Sequence, residues 1–399
     1  MKRPVLLVAS QVMLLLLGVL FPIVFVRYNG HAMFGTVALV ATYSAVILSV
    51  LVTGVSQSIL SHGLSAGRLR LYALALALGG AGAWLAQVLA LPRGGPTVYL
   101  AVVWVLAAQS AVSFIYYYAI RRRLMFVLTF VMPGEALARI GAVFALHGLH
   151  LTGASVLIGC YVISNVAVGL LALALIGLGA RAGDPDAGGR LRLNVAGRFM
   201  RWSVSGTVLD GFDRGGYGAM LQAEARSPFL FYDSLYLAAF GLIANTARME
   251  VLAARPGARV ASRAALLVLV VGGVAAAAAA TGAVFALAGP LGRWTGFDPR
   301  PAAGAVLFAF AYRSALFAQF VAYGYIERGG RTEANIPPRL AATAALLALA
   351  ALSPFVPLAW VAGAALVVAG AVAALSLRLA LSAAGDPEAA PTPAHDPAG

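Results

Sequence analysis

Few residues in this sequence could do chemistry, and those that could stand in apolar company. Asp210, Asp213, Arg214 and Tyr217 follow at i, i+3, i+4 and i+7, which is one stripe of a regular helix. Ser203, Ser205 and Thr207 precede them, and Gln222 and Glu224 follow. One arginine cannot neutralise two carboxylates, so the stripe read alone has spare negative charge, a place for a proton, a cation or a cationic group. The bland alternative is a structural Asp210–Arg214 pair with Asp213 facing water. Upstream, Glu135 and Arg139 are four apart behind Pro133-Gly134, which reads either as a neutralised pair or as the polar lining of a cavity. Downstream, Arg313 stands in Tyr312-Arg313-Ser314 with no acid on its own run, ahead of Gln319 and Tyr323. Asp233, in Tyr232-Asp233-Ser234-Leu235-Tyr236, reads as a group reaching interfacial water. Arginine grips phosphate through paired N–H donors, so Arg139, Arg214 and Arg313 are candidates for an anionic diphosphate head group. Each has the alternative of satisfying a carboxylate on a neighbouring helix.

Several chemistries are excluded by what is missing. Lys2 is the only lysine, so neither the phosphate-cradling G-x-x-x-x-G-K-[ST] loop nor a buried Schiff-base lysine exists. Cys160, the only cysteine, excludes disulfides, C-x-x-C redox chemistry and cysteine-rich zinc sites. The five histidines (His31, His62, His147, His150 and His395) form no H-E-x-x-H, and His147 and His150 have no carboxylate beside them in sequence. No metal site or cofactor is expected. Asp184-Pro185-Asp186 matches the D-x-D of metal-assisted sugar transferases but reads better as a solvated turn in a Gly-rich loop.

The elements that must position these residues are set by composition. Of 399 residues 61% are hydrophobic and 11% charged, against about 25% charged in a soluble domain, so the chain needs lipid around it. Apolar runs fall at about 5–26, 33–61, 69–91, 97–120, 124–146, 151–180, 198–223, 228–252, 264–288, 302–325, 339–353 and 355–381. Each is near the roughly 20 residues a membrane-crossing helix needs. The first is expected to be a retained anchor, since it lacks an A-x-A cleavage site.

Basic residues test this parse, because cytoplasmic loops hold the excess. With the N-terminus inside, twenty Lys and Arg, Arg339 among them, fall on inner segments. Arg27, Arg93, Arg226, Arg293 and Arg300 fall outside, and Arg139, Arg214 and Arg313 lie within runs. Dropping one middle helix would scramble that split. The expected fold is therefore an all-α polytopic membrane protein with about twelve transmembrane helices, both termini cytoplasmic and no nucleic-acid partner despite the +14 charge. The polar stretch Arg181–Gly197 divides it six plus six. This gives an N-terminal lobe over 1–180, a linker over 181–197, a C-terminal lobe over 198–382 and a disordered tail over 383–399. Transporters built of two such halves hold substrate between them near the bilayer midplane.

Local motifs add a resemblance. Val26-Arg27-Tyr28-Asn29-Gly30-His31-Ala32-Met33-Phe34-Gly35 resembles the "aRylGpeefG" segment that opens the polysaccharide transporter family, the Wzx-type lipid-linked oligosaccharide flippases of the MOP exporter superfamily. Gly54-Val55-Ser56-Gln57-Ser58-Ile59-Leu60 is similar to its "dlGlsqal". Asp213-Arg214 with Tyr232 and Tyr236 resembles "Dr..ilg" and "vGlYs.ay". The family's proline near the start of the seventh helix is absent, with Trp202-Ser203-Val204-Ser205 standing there.

The resemblance implies a flippase of the cytoplasmic (inner) membrane that moves an isoprenoid-diphosphate-linked oligosaccharide by alternating access, for O-antigen, capsule or exopolysaccharide. Arg139, Arg214, Arg313, Tyr217 and Gln319 would then line the diphosphate or glycan path. Asp210, Asp213 and Glu135 would couple transport to H+ or Na+, and Arg27, Gly30 and Gly35 are the motif residues. Polysaccharide polymerases and glycosyltransferases are the implied partners, beside membrane lipids. The alternative is a cation-coupled exporter of small amphipathic compounds, as in the MATE branch. A membrane glycosyltransferase, ligase or polymerase is disfavoured, because the longest outer loop, Gly289–Pro301, holds Asp298 as its only acid.

Overall fold

The computed structural model describes residues 2–39, 41–43, 125–151, 193–253, 263–328 and 331–383, with scattered positions between 156 and 168. The third and fourth apolar runs, most of the second and sixth, the D-x-D turn, the Gly54–Leu60 motif and the tail beyond Ala383 lie outside the described residues. Among the described residues every regular element is helical. The chain divides into two compact units, Met1–Val204 and Ser205–Gly399.

In the first unit α1 (Lys2–Asn29) packs on α3 (Met125–Gly148), with the short helix α2 (His31–Tyr43) between them in sequence. Gly30 ends α1 at φ +81°, a left-handed conformation that costs a side chain roughly 1–2 kcal/mol, and its amide bonds back to Val26 O at 2.8 Å. Here the opening motif has a physical basis. Arg27 lies in the last turn of α1, where a cation suits the helix end; Gly30 breaks the helix, and Gly35 is buried in α2. The α1–α3 interface is apolar, with Phe25, Val143 and Leu146 fully buried and the Tyr28 ring tilted against His147 at 4.6 Å. Helix α3 runs through Pro133 without a break.

The second unit comprises α4 (Leu193–Gly211, begun in the first unit), α5 (Ala223–Ala253), α6 (Arg263–Ala286), a short α7 (Ala288–Thr295), α8 (Ala303–Arg328), α9 (Thr332–Leu352) and α10 (Leu358–Ala383). Helix α8 is its centre: it packs on α5, α6 and α10, and Val306, Ala309, Tyr312, Leu316, Phe317, Val321 and Ile326 are fully buried. Hydrocarbon surrounds the other helices as readily as it surrounds a leucine, so close approach rather than apolar character must hold them together. The sequence supplies it. Ala365, Ala369, Ala373 and Ala380 form a buried small-residue stripe on α10, and Gly273 of α6 leaves room for the ring of Phe317, which a Cβ would meet at 2.5 Å. Five described helical spans are long and apolar enough to cross a membrane: Val12–Asn29, Arg263–Ala286, Arg300–Ile326, Thr332–Phe355 and Leu358–Ala383. The architecture is that of an all-α polytopic membrane protein.

Candidate functional site

The second unit carries its charges at a fault in a helix. After Gly211 the backbone widens into a π turn, Phe212–Tyr217, whose bonds reach one residue further than in an α-helix, as from Gly218 N–H to Asp213 O. The extra residue breaks the stripe expected from sequence, and Asp210 and Asp213 turn to different arginines. It also frees carbonyls, which α8 takes up. Tyr312 OH, fully buried, donates to Leu209 O at 2.7 Å, and Arg313 Nη1 donates to Asp210 O at 3.1 Å.

Arg313 is the hub. Its Nη2 donates to Asp213 Oδ1 at 3.0 Å and to Asp233 Oδ2 at 3.1 Å, and its Nε to Asp233 Oδ1 at 2.8 Å, with Asp213 Oδ2 2.7 Å from Nε. The arginine side chain is 2% exposed and both carboxylates 0%. Arginine suits this position because its planar fork serves several acceptors while staying charged. Asp233 has a second cation: Arg214 Nε is 3.1 Å from Oδ2, while Arg214 Nη2 donates to Ser234 Oγ at 2.9 Å. Asp213 Oδ1 also accepts the Arg214 backbone N–H at 2.9 Å. The third acid, Asp210, is 34% exposed at its side chain and lies 3.8 Å from Arg339 Nη2. Arg339 stacks over Tyr323 at 5.0 Å and rests on Gly206, where a Cβ would stand 1.4 Å from Nη2.

Asp210, Asp213 and Asp233 thus face Arg214, Arg313 and Arg339, three charges against three. The spare negative charge expected on the stripe is absent from this arrangement, because α8 and α9 bring cations that no local spacing announces. The Asp210–Arg214 pair is likewise replaced by Arg214–Asp233, and Asp233 lies in the core, away from interfacial water. Arg339, counted with the inner face, is buried because α9 begins at Thr332 and runs through Pro337 and Pro338. Asp233, Arg339 and Tyr312 are the members that sequence reasoning passed over. An acid and an arginine inside or beside apolar runs were the available signals.

The other predicted residues fall around this cluster or in the other unit. Tyr217 is buried against Phe308 at 4.1 Å and Phe229 at 5.7 Å. Gln319 is fully buried and donates its amide to Tyr323 OH, which leads through the Tyr323 ring to Arg339. In the first unit Arg139 pairs with Glu135 one turn away and lies over the Tyr161 ring at 4.2 Å and the Phe21 ring at 5.8 Å. Tyr232 and Tyr236, which carry the resemblance on α5, tie that helix to its neighbours: Tyr232 OH donates to Phe297 O at 2.9 Å, and Tyr236 OH bonds Thr281 Oγ1 at 2.8 Å.

No protein-family model and no curated protein sequence matches the chain. Solved structures do. The inward closed conformation of the lipid II flippase MurJ matches 96% of this chain and 88% of its own at 13% identity, with a TM-score of 0.60. The eukaryotic MATE transporter AtDTX14 matches 96% of this chain and 94% of its own at 14% identity, with a TM-score of 0.54. The outward-facing form of a multidrug resistance MATE transporter of the MOP superfamily gives 96%, 99%, 12% and 0.50. At these identities the likeness is one of fold, and over nearly the whole chain that fold is the one shared by MurJ and the MATE transporters.

Proposed function

We propose that this protein is a flippase of the cytoplasmic membrane that moves an isoprenoid-diphosphate-linked oligosaccharide by alternating access. The observation that carries the reading is the balance of three arginines against three aspartates around Arg313, which is itself buried with Asp213 and Asp233. A proton or cation taken up by Asp213, Asp233 or Asp210 leaves the cluster with one surplus positive charge. An arginine freed in this way can turn to the diphosphate of a lipid head group, so the coupling ion and the anionic substrate compete for the same guanidinium. Arg139 over Tyr161, with Glu135 beside it, forms the corresponding charged position of the first unit. Both termini lie on the cytoplasmic side in this reading, where glycosyltransferases build the substrate, and no catalytic residue is assigned.

Replacing Asp213 with Asn or Arg313 with Lys is expected to abolish surface glycan export while the protein remains inserted, measured as surface polysaccharide in a strain lacking the chromosomal copy. Normal surface polysaccharide with both variants overturns the site assignment. A second reading, export of small amphipathic compounds, is favoured by the likeness to two MATE transporters. It predicts drug resistance on overexpression and no accumulation of lipid-linked glycan on deletion.

A further inference from the structure

At the end of the second unit where α6 begins and α10 stops, arginines gather on one helical turn. Arg263, the first residue of α6, donates its Nε to Leu381 O at 2.9 Å, which suits the negative end of α10 with its unpartnered carbonyls. Arg331, which precedes α9, donates its Nη1 to Ser382 Oγ, and Ser382 Oγ donates to Leu379 O at 2.8 Å. Arg378 stands three and four residues before Leu381 and Ser382 and so shares their face of α10. More donors are present than the helix end uses. Among the described residues the two Nη groups of Arg263 and the whole guanidinium of exposed Arg378 make no hydrogen bond or ion pair with the protein. Glu333, exposed in the first turn of α9, pairs with neither. Like charges held about a turn apart repel until an anion lies between them.

We propose that this end binds an anionic phospholipid, its phosphate between Arg263 and Arg378 and an acyl chain along α10. Position selects the lipid. Arg263 opens the span Arg263–Ala286, Arg378 lies in the last two turns of the span Leu358–Ala383, and Arg331 immediately precedes the span Thr332–Phe355, so the group stands at the level of lipid phosphates. The apolar surface beside it is open as well: Val367, Ala371, Leu375 and Arg378 follow at helical spacing on one exposed stripe, with Val367 72% and Leu375 45% exposed. A soluble anion would meet only the arginines, whereas a lipid meets the arginines and the hydrocarbon stripe that continues from Arg378. Arginine grips phosphate through paired N–H donors, and a zwitterionic lipid brings its own cation, so an acidic head group is preferred. Helices α6 and α10 pack on α8 rather than on each other, and a phosphate held by both arginines would tie them together at this end. The chain's own Asp386 and Glu388, which follow α10, are the competing anions. This binding is independent of what the protein transports.

The test uses the full chain in phosphatidylcholine vesicles carrying a trace of one photoreactive lipid, either phosphatidylglycerol or phosphatidylcholine, each with a diazirine on an acyl chain. Peptides spanning 263–271 and 371–383 are expected to be labelled by the phosphatidylglycerol probe in excess of the phosphatidylcholine probe, and the peptide 358–366 at the other end of α10 equally by both. Each basic residue at a membrane surface contributes about fivefold to the attraction of acidic lipid, so Arg263→Gln with Arg378→Gln should cut phosphatidylglycerol labelling roughly 25-fold, to the level of the other probe. Arg378→Gln alone breaks no bond within the described protein and should cut it about fivefold, which keeps the test clear of folding. Lysine at both positions should retain most of the excess. Equal labelling by the two probes, or an undiminished excess in the double variant, overturns the inference. So does an excess that inorganic phosphate abolishes where chloride of the same ionic strength does not, which assigns the arginines to a free anion. An excess that appears only in Asp386→Asn with Glu388→Gln overturns it too, since the chain's own acids then occupy the arginines.

Discussion

Glu135 and Arg139 meet across a single turn of α3, whereas Arg313 reaches partners 80 and 100 residues away, on α5 and in the π turn that follows α4. The first pair keeps some water, with 12% and 20% of its side chains exposed; the second group has 2% or less. The local pair can form as its helix forms and persists whatever the neighbouring helices do. The long-range cluster exists only while α4, α5 and α8 are assembled in this arrangement, so any motion of those helices must first separate charges in a low-dielectric interior. A group of that kind depends on how its helices are assembled, whereas the ion pair within one turn depends chiefly on its own helix.

Removing Arg313 should accordingly have the largest effect of any single change. Arg313→Gln leaves two buried carboxylates without their shared cation and is expected to destabilise the protein by about 3–5 kcal/mol, measured by thermal unfolding in detergent. Adding Asp213→Asn should recover most of that loss, because Asp233 still has Arg214 and no uncompensated charge remains. Unchanged unfolding of the single variant would show that water reaches and screens these carboxylates. Asp233→Asn comes next, at about 2–3 kcal/mol, since it strands part of two arginines. Asp210→Asn should cost less than about 1 kcal/mol, because Asp210 is a third exposed and 3.8 Å from Arg339. Equal effects at the two positions would dissolve the ranking.

Smaller effects probe how the cations are held. Gly206→Ala puts a methyl into the space of the Arg339 guanidinium and should cost about 1 kcal/mol by displacing it. That cost should vanish in an Arg339→Ala background if the arginine alone is responsible, which a double-mutant cycle reads directly. In the first unit Glu135→Gln is expected to cost about 0.2–1 kcal/mol, the range of partly exposed pairs one turn apart.

The same contrast explains how far the sequence could be read. The Glu135–Arg139 pair follows from i, i+4 spacing, and the all-helical membrane architecture from run lengths and the scarcity of charge. Gly30 is legible too, since a glycine after a basic helix end suggests a left-handed stop. The cluster is only half legible. Asp210, Asp213, Arg214 and Arg313 stand out as charges in apolar runs, but their pairing does not, because the π turn inserts a residue that no periodicity shows and α8 approaches from 100 residues away. Arg339 was masked by Pro337-Pro338, which reads as a loop until neighbouring helices stabilise a helix through it.

A further charge pair of the second unit, Asp298 with Arg300 at the very start of the Arg300–Ile326 span, is the weakest case. Hydrogen bonds from Arg300 hold the Asp298 carboxyl below the usual carboxylate range, although the pair is open to solvent. A carboxyl whose pKa is depressed on folding stabilises the folded state above its ordinary value near 4, and that contribution fades as pH falls through the lower folded value. Wild type should therefore unfold slightly above Asp298→Asn at pH 7, and the gap should narrow as pH is lowered below about 4. Salt should erase the gap, as screening does for exposed charges but not for the buried Arg313 group. A gap that survives high salt would place Asp298 with the buried cluster and remove the distinction between local, screened pairs and long-range, desolvated ones.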